Sequence, residues 1–170
     1  MSMSHKAFCF NWQAFQGELA ALLMVSLAKD DPSGLIEFGT ANLSSLSDPY
    51  EGLPLTDDWI KNMEVGDTQE IADHLLTKYY DPSADQGIGE FWIGLEQSLN
   101  SSQRGALLGH SFGPQFNQFD PGRIGSYFQD EATIRKSLSD LGSATQPELN
   151  RFRELLRDAI NSNQGLYVTF

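Results

Sequence analysis

One cysteine in 170 residues, Cys9, has no partner for an internal disulfide, so a cross-linked scaffold is excluded. Set between Phe8 and Phe10, its thiol is expected to be reduced, buried and inert. Positive charge is also scarce. Eleven Lys and Arg stand against 23 Asp and Glu, a formal net charge of −12. A nucleic-acid backbone or an anionic membrane would repel such a chain, so neither is expected as a partner, and the charge would speed encounter with a basic protein. The plainer reading of the same charge is solubility. No apolar run is long enough to span a bilayer: residues 19–27 form the longest and include Ser26. The N-terminus lacks a basic region, apolar core and small-residue cleavage site. A cytoplasmic location is therefore expected, where the sequons at Asn42 and Asn100 would meet no glycosylation machinery.

The usual signatures of site chemistry are missing as well. His5, His74 and His110 are far apart and make no metal-ligand spacing with Cys9. There is no phosphate-cradling G-x-x-x-x-G-K-[ST], no G-x-G-x-x-G, and no interleaving of aromatic and basic residues. No metal, cofactor or catalytic set is expected. The one motif match is Gly109-His110-Ser111-Phe112-Gly113, which fits a nucleophile elbow. Pro114 follows at once, residues 115–120 carry no helical stripe, and no histidine comes after His110 to serve as base. A glycine-rich turn is the expected structure. Asp73 and His74 read as solvated or structurally paired side chains on a helix, and Arg123 as a turn residue pairing with nearby acids.

What is present begins with length, which suits one domain burying roughly 70% of its unfolded surface. Local signals agree best over residues 145–170. Thr145 and Glu148 fit a capping box, with Pro147 tolerated in the first turn. Leu149, Phe152, Leu156, Ala159 and Ile160 then form an apolar helical stripe. Asn163 or Gly165 can end the helix. Leu166, Val168 and Phe170 alternate with Tyr167 and Thr169, predicting a half-buried strand that enters a sheet.

Earlier in the chain, residues 7–10 read as a first strand or the approach to a helix. Asn11 is a candidate N-cap for a helix carrying Trp12, Phe15, Leu19, Leu22, Leu23 and Leu27, weakened by Gly17 and stopped by residues 30–34. Residues 35–38 read as a short strand. Residues 39–56 read as a long loop fastened by Leu43, Leu46, Tyr50, Leu53 and Leu55. Thr56 would cap a short helix with Trp59, Ile60 and Met63, and Asp67 with Glu70 would cap the next, whose face is Ile71, Leu75, Leu76 and Tyr79. Residues 88–99 favour a helix, with a buried strand at Phe91 to Ile93 as the alternative. Residues 100–126 read as a second irregular region anchored by Phe112, Phe116, Phe119 and Tyr127. Gln129 or Asp130 would open a helix with Ile134, Leu138 and Leu141, closed by Gly142.

Residues 122–170 resemble the uncharacterised bacterial YfbM-like family in the order of their parts. These are an aromatic entry at Tyr127 and Phe128, a helix through Ile134 and Leu138, the helical run of residues 148–160, then Gln164-Gly165 and a last strand. The resemblance implies a small cytoplasmic α+β protein and no assigned activity. Alternating βα units are too few for a doubly wound parallel sheet. The expected fold is a single helix-rich α+β domain with a small, mostly antiparallel sheet that includes the C-terminal strand. The leading functional expectation is a non-enzymatic acidic cytoplasmic domain of the immunity or antitoxin-like kind, binding a basic protein. Its binding residues would be Asp48, Glu51, Asp57, Asp58, Glu64 and Asp67, continued by Asp81 and Asp85. The alternative is a small-molecule-binding or enzymatic domain with its site between residues 39–56 and 100–126.

Overall fold

The computed structural model describes residues 3–61, 63 and 66–170. Among these residues three strands form one antiparallel sheet: β1 (Lys6–Phe10), β2 (Ser126–Gln129) and β3 (Gly165–Thr169), in the order β1-β3-β2. Phe8 and Phe128 both stand opposite Tyr167, and Ala7 and Tyr127 both stand opposite Val168. Because side chains alternate across a strand, these rows lie on opposite faces. The Phe8, Phe10, Phe128 and Tyr167 face packs on α1 (Trp12–Glu18), α2 (Ala20–Lys29), α3 (Ser33–Ala41) and α4 (Thr68–Leu76). The Ala7, Leu166 and Val168 face packs on α5 (Trp92–Glu96), α6 (Ser101–Leu108), α7 (Glu131–Asp140) and α8 (Leu149–Asn161). The fold is therefore a single α+β domain with the small sheet between two helical layers and a core on each face.

The predicted half-buried character of β3 is corrected by this arrangement. It is the central strand, and Leu166, Tyr167 and Val168 are all essentially inaccessible. Alternation marks two faces, but it cannot say that a second helical layer covers the one bearing Tyr167 and Thr169. Asn163 does supply the left-handed residue between α8 and β3, at φ 52°. The Thr145–Glu148 box does not form. A turn in which the Leu149 N–H donates to the Gln146 carbonyl leads into α8, whose N-cap Glu148 makes no side-chain cap bond.

Three side-chain caps form: Asn11 accepts from the Ala14 N–H, Asp67 from the Gln69 and Glu70 N–H groups, and Asp130, rather than Gln129, from the Thr133 N–H; Glu70 enters its cap through its backbone N–H. The single predicted helix beyond Asn11 is two helices that meet at Leu19. The strand predicted at 35–38 is instead part of α3. Gly34, read as a breaker, and Gly39 are close-approach positions on that helix. A Cβ on Gly34 would lie 2.8 Å from Leu22, and one on Gly39 would lie 2.6 Å from Trp59. The irregular region expected at 100–126 begins with α6, opened by a capping box between Asn100 and Gln103. The expected loop at 39–56 likewise starts as the last turn of α3 and a 3-10 turn at Leu43–Ser45. Thr56 opens successive turns rather than a helix, and the predicted helix at 88–99 shrinks to Trp92–Glu96. Among the described residues no helix is long and apolar enough to cross a membrane.

Candidate cavity at the buried aspartate

The helix α4 organises the candidate site. Its apolar positions Ile71, Ala72, Leu75 and Leu76 bury against the core, as the period predicts. Asp73 and His74 fall on the polar side, yet they are only 5% and 7% exposed. Two loops laid over that side cause this burial, and α4 itself fastens both. The Thr77 hydroxyl accepts from the Ser47 N–H at 2.9 Å, which fixes the base of a turn closed by the Ser47–Pro54 bridge. Within that turn Asp48 accepts from the Tyr50 and Glu51 N–H groups. At the other end of α4, the Gln69 amide donates to the Gln118 carbonyl and to Asn117, and accepts from the Asp120 N–H. Asp120 then closes its own turn by accepting from the Gly125 N–H, with Arg123 held at φ 56°.

Between these loops, α4 and the sheet lies a cavity of about 190 Å³. Lys6 and Phe8 of β1, and Tyr167, Thr169 and Phe170 at the end of β3, form its floor. Asp73 and Tyr80 come from α4 and its extension, Pro49 and Tyr50 from the first loop, and Pro121, Gly122 and Ile124 from the second. Lys6 stands opposite Thr169 in register, so it shares the Phe8 and Tyr167 face of the sheet.

Burial dominates the electrostatics. It drives the Asp73 pKa from 3.8 up to about 7; Asp48 and Glu70 push in the same direction, while a hydrogen bond from Tyr50 and the charge of Lys6 oppose it. Tyr50 is 74% exposed overall, but its pKa is pushed to about 12, first by desolvation of the hydroxyl and then by the Asp73 carboxyl. Burial also raises the Tyr80 and Tyr167 phenols well above their usual range, so both remain neutral donors. Among the described residues Asp73 has no ion-pair partner. A carboxyl in that position exchanges its proton near neutrality and can either donate or accept a hydrogen bond.

The predicted acidic residues are brought together only in part. Asp48, Glu51 and Asp58 line an open groove of about 320 Å³ with Glu70, His74, Trp59 and Met63. Asp57 is exposed in the neighbouring turn, Asp67 is committed to capping α4, and Glu64 lies outside the described residues. Asp48 and Asp58 also hold their own turns, the latter by accepting from Thr56. Asp81 and Asp85 sit elsewhere: Asp85 accepts from the Ala7 N–H along β1, and Asp81 from Ser83.

A wider groove of about 400 Å³ runs beside β1, lined by Cys9, Asn11, Lys78 and Asp81 among others. Its charged groups and Asn11 are already engaged: Lys78 with Glu18, Asp81 with Ser83, Asn11 with α1. Cys9 is half-buried there rather than buried, and desolvation raises its thiol pKa, which keeps it protonated. His110 and Ser111 lie on extended chain, with His110 exchanging backbone bonds with Phe128 and no helix following. The strand-to-helix elbow that makes such a serine nucleophilic is not formed.

Asp73 does not stand out as a site residue in the sequence because the period of α4 assigns it to a solvent face. The available signal was two proline- and glycine-containing segments flanking a helix with two consecutive polar residues, Asp73 and His74. Comparison of the chain with protein-family models, curated proteins and solved structures returns no match, so no residue role is carried over from a relative.

Proposed function

We propose that this protein binds a small polar ligand in the cavity at Asp73, between residues 39–56 and 100–126. The observation that carries the reading is the Asp73 carboxyl: nine-tenths buried, without an ion pair among the described residues, and lining a cavity. Burying a carboxylate is costly unless something compensates it, and sites where such a cost is retained are enriched in function. Hydroxyls of Tyr50, Tyr80, Tyr167 and Thr169 add directional partners, while Phe8, Pro121 and Ile124 supply apolar wall. The single unpaired cysteine supports a cytoplasmic setting for this activity. A fragment set of small amines, carboxylates, alcohols and zwitterions, mapped by amide chemical shifts, tests the proposal. Shifts centred on Lys6, Asp73 and Thr169 are expected. Shifts confined to other surfaces, or none, would refute it.

A second reading rests on a separate observation, the convergence of Asp48, Glu51, Asp58 and Glu70 around Trp59 in one open groove. Such a surface suits a basic protein partner, with the rate of encounter set by charge.

A further inference from the structure

The cavity carries two opposite charges that do not pair with each other. Asp73 enters from α4 and Lys6 from β1, and both line the same space. Neither forms an ion pair with any described residue. The remaining lining is phenol, hydroxyl and hydrocarbon, none of which can neutralise either charge. We infer that the ligand is a small zwitterion of the α-amino-acid class, its ammonium held by Asp73 and its carboxylate by Lys6. This rests on the cavity being a binding site.

Each alternative charge type leaves a group uncompensated. A simple anion could meet Lys6 but would lie beside Asp73, on which the charges of Asp48 and Glu70 also act. A simple cation could meet Asp73, yet it would bring a second positive charge into the space that Lys6 lines. A zwitterion satisfies both poles at once, and its zero net charge adds nothing to the −12 of the chain. Aromatic rings strengthen the cationic pole. Phe8, Tyr80 and Tyr167 all line the cavity, which would set aromatic rings beside the ammonium. Size agrees. At about 190 Å³ the cavity falls below the range of roughly 300–1,000 Å³ that serves drug-sized ligands. A molecule of a few heavy atoms fits, with Ile124 and Pro121 available to contact a short side chain.

Calorimetric titration tests the assignment with glycine, L-alanine, L-serine, L-threonine, L-valine and L-proline as probes. The best of these is then compared with its decarboxylated and its deaminated analogue; for L-alanine these are ethylamine and propionate. Binding by at least one amino acid is expected, with both analogues weaker by about tenfold or more, because each lacks one charge-assisted contact. Asp73→Asn and Lys6→Met should each weaken the amino acid similarly. Lys6→Met should spare the amine, and Asp73→Asn should spare the carboxylate. Should the amine or the carboxylate bind as tightly as the amino acid, the zwitterion assignment fails while the cavity remains a binding site. If no probe of any charge type shifts the amide signals of Lys6 and Asp73, both readings fall.

Discussion

A carboxyl group whose folded pKa is about 7 and whose ordinary value is 3.8 binds its proton more tightly in the native state. Its ionisation therefore opposes folding. The cost is absent below the unfolded value, grows as pH rises through the interval, and is complete above about 7, where it amounts to on the order of 4 kcal/mol. His5 has the opposite sign. It is fully buried, its Nε2–H donates to the Leu107 carbonyl at 2.8 Å, and its Nδ1 accepts from the Ile88 N–H at 3.2 Å. That pattern requires the neutral ring, and burial lowers its pKa against smaller upward pulls from the Leu107 and His5 backbone and from Asp85. Stability from neutral His5 is thus present above 6.5 and lost as pH falls below it. His5→Leu is expected to cost about 2–4 kcal/mol near pH 8, since two buried backbone groups lose their partner. Its unfolding free energy should also fall less steeply than wild type as the pH is lowered from about 6.5 to 5 in urea titrations, because the variant has no ring to protonate.

Among the elements, α4 bears most of the functional geometry. Gln69 is the clamp on the second loop, and Gln69→Ala should free the 117–125 segment without unfolding the helix. Hydrogen exchange should rise at Phe119, Asp120 and Gly125, while Ile71 and Leu75 stay protected; unchanged exchange in the loop would show that the clamp is not needed. The terminal strand is a different kind of element. Removing residues 166–170 takes away the central strand and the floor of both cores, so the truncated chain should lose its cooperative melt, as followed by circular dichroism. The helical stripe of α8, the alternation of β3 and three side-chain caps were legible in the sequence because each is a local pattern. The helix α3 was not, and residues 35–38 read as a strand, because Gly34 and Gly39 look like breakers until Leu22 and Trp59 are seen packed against them. The Asn100–Gln103 box was available to read, but the glycines that follow it obscured α6.

At the scale of the molecule, the fold class was legible from the order of elements, whereas the site was not. Asp73 became a site residue only when loops from two distant parts of the chain closed over α4, and no periodicity records such a closure. The acidic surface was half legible: Asp48, Glu51 and Asp58 do converge, while Asp67, Asp81 and Asp85 are absorbed by caps and turns. For the second reading, association with a basic protein should slow as salt shortens the Debye length from about 10 Å at 0.1 M to 3 Å at 1 M. Stopped-flow rates that ignore salt would remove the groove from consideration. The central claim is that the fold keeps a destabilising carboxyl in its cavity, and one comparison tests it most directly. Unfolding free energies of wild type and Asp73→Asn are to be measured in urea from about pH 4 to pH 8.5. The variant should be more stable by on the order of 2–4 kcal/mol at the alkaline end, with the gain vanishing toward the acidic end. A variant that is no more stable than wild type at any pH would contradict the account.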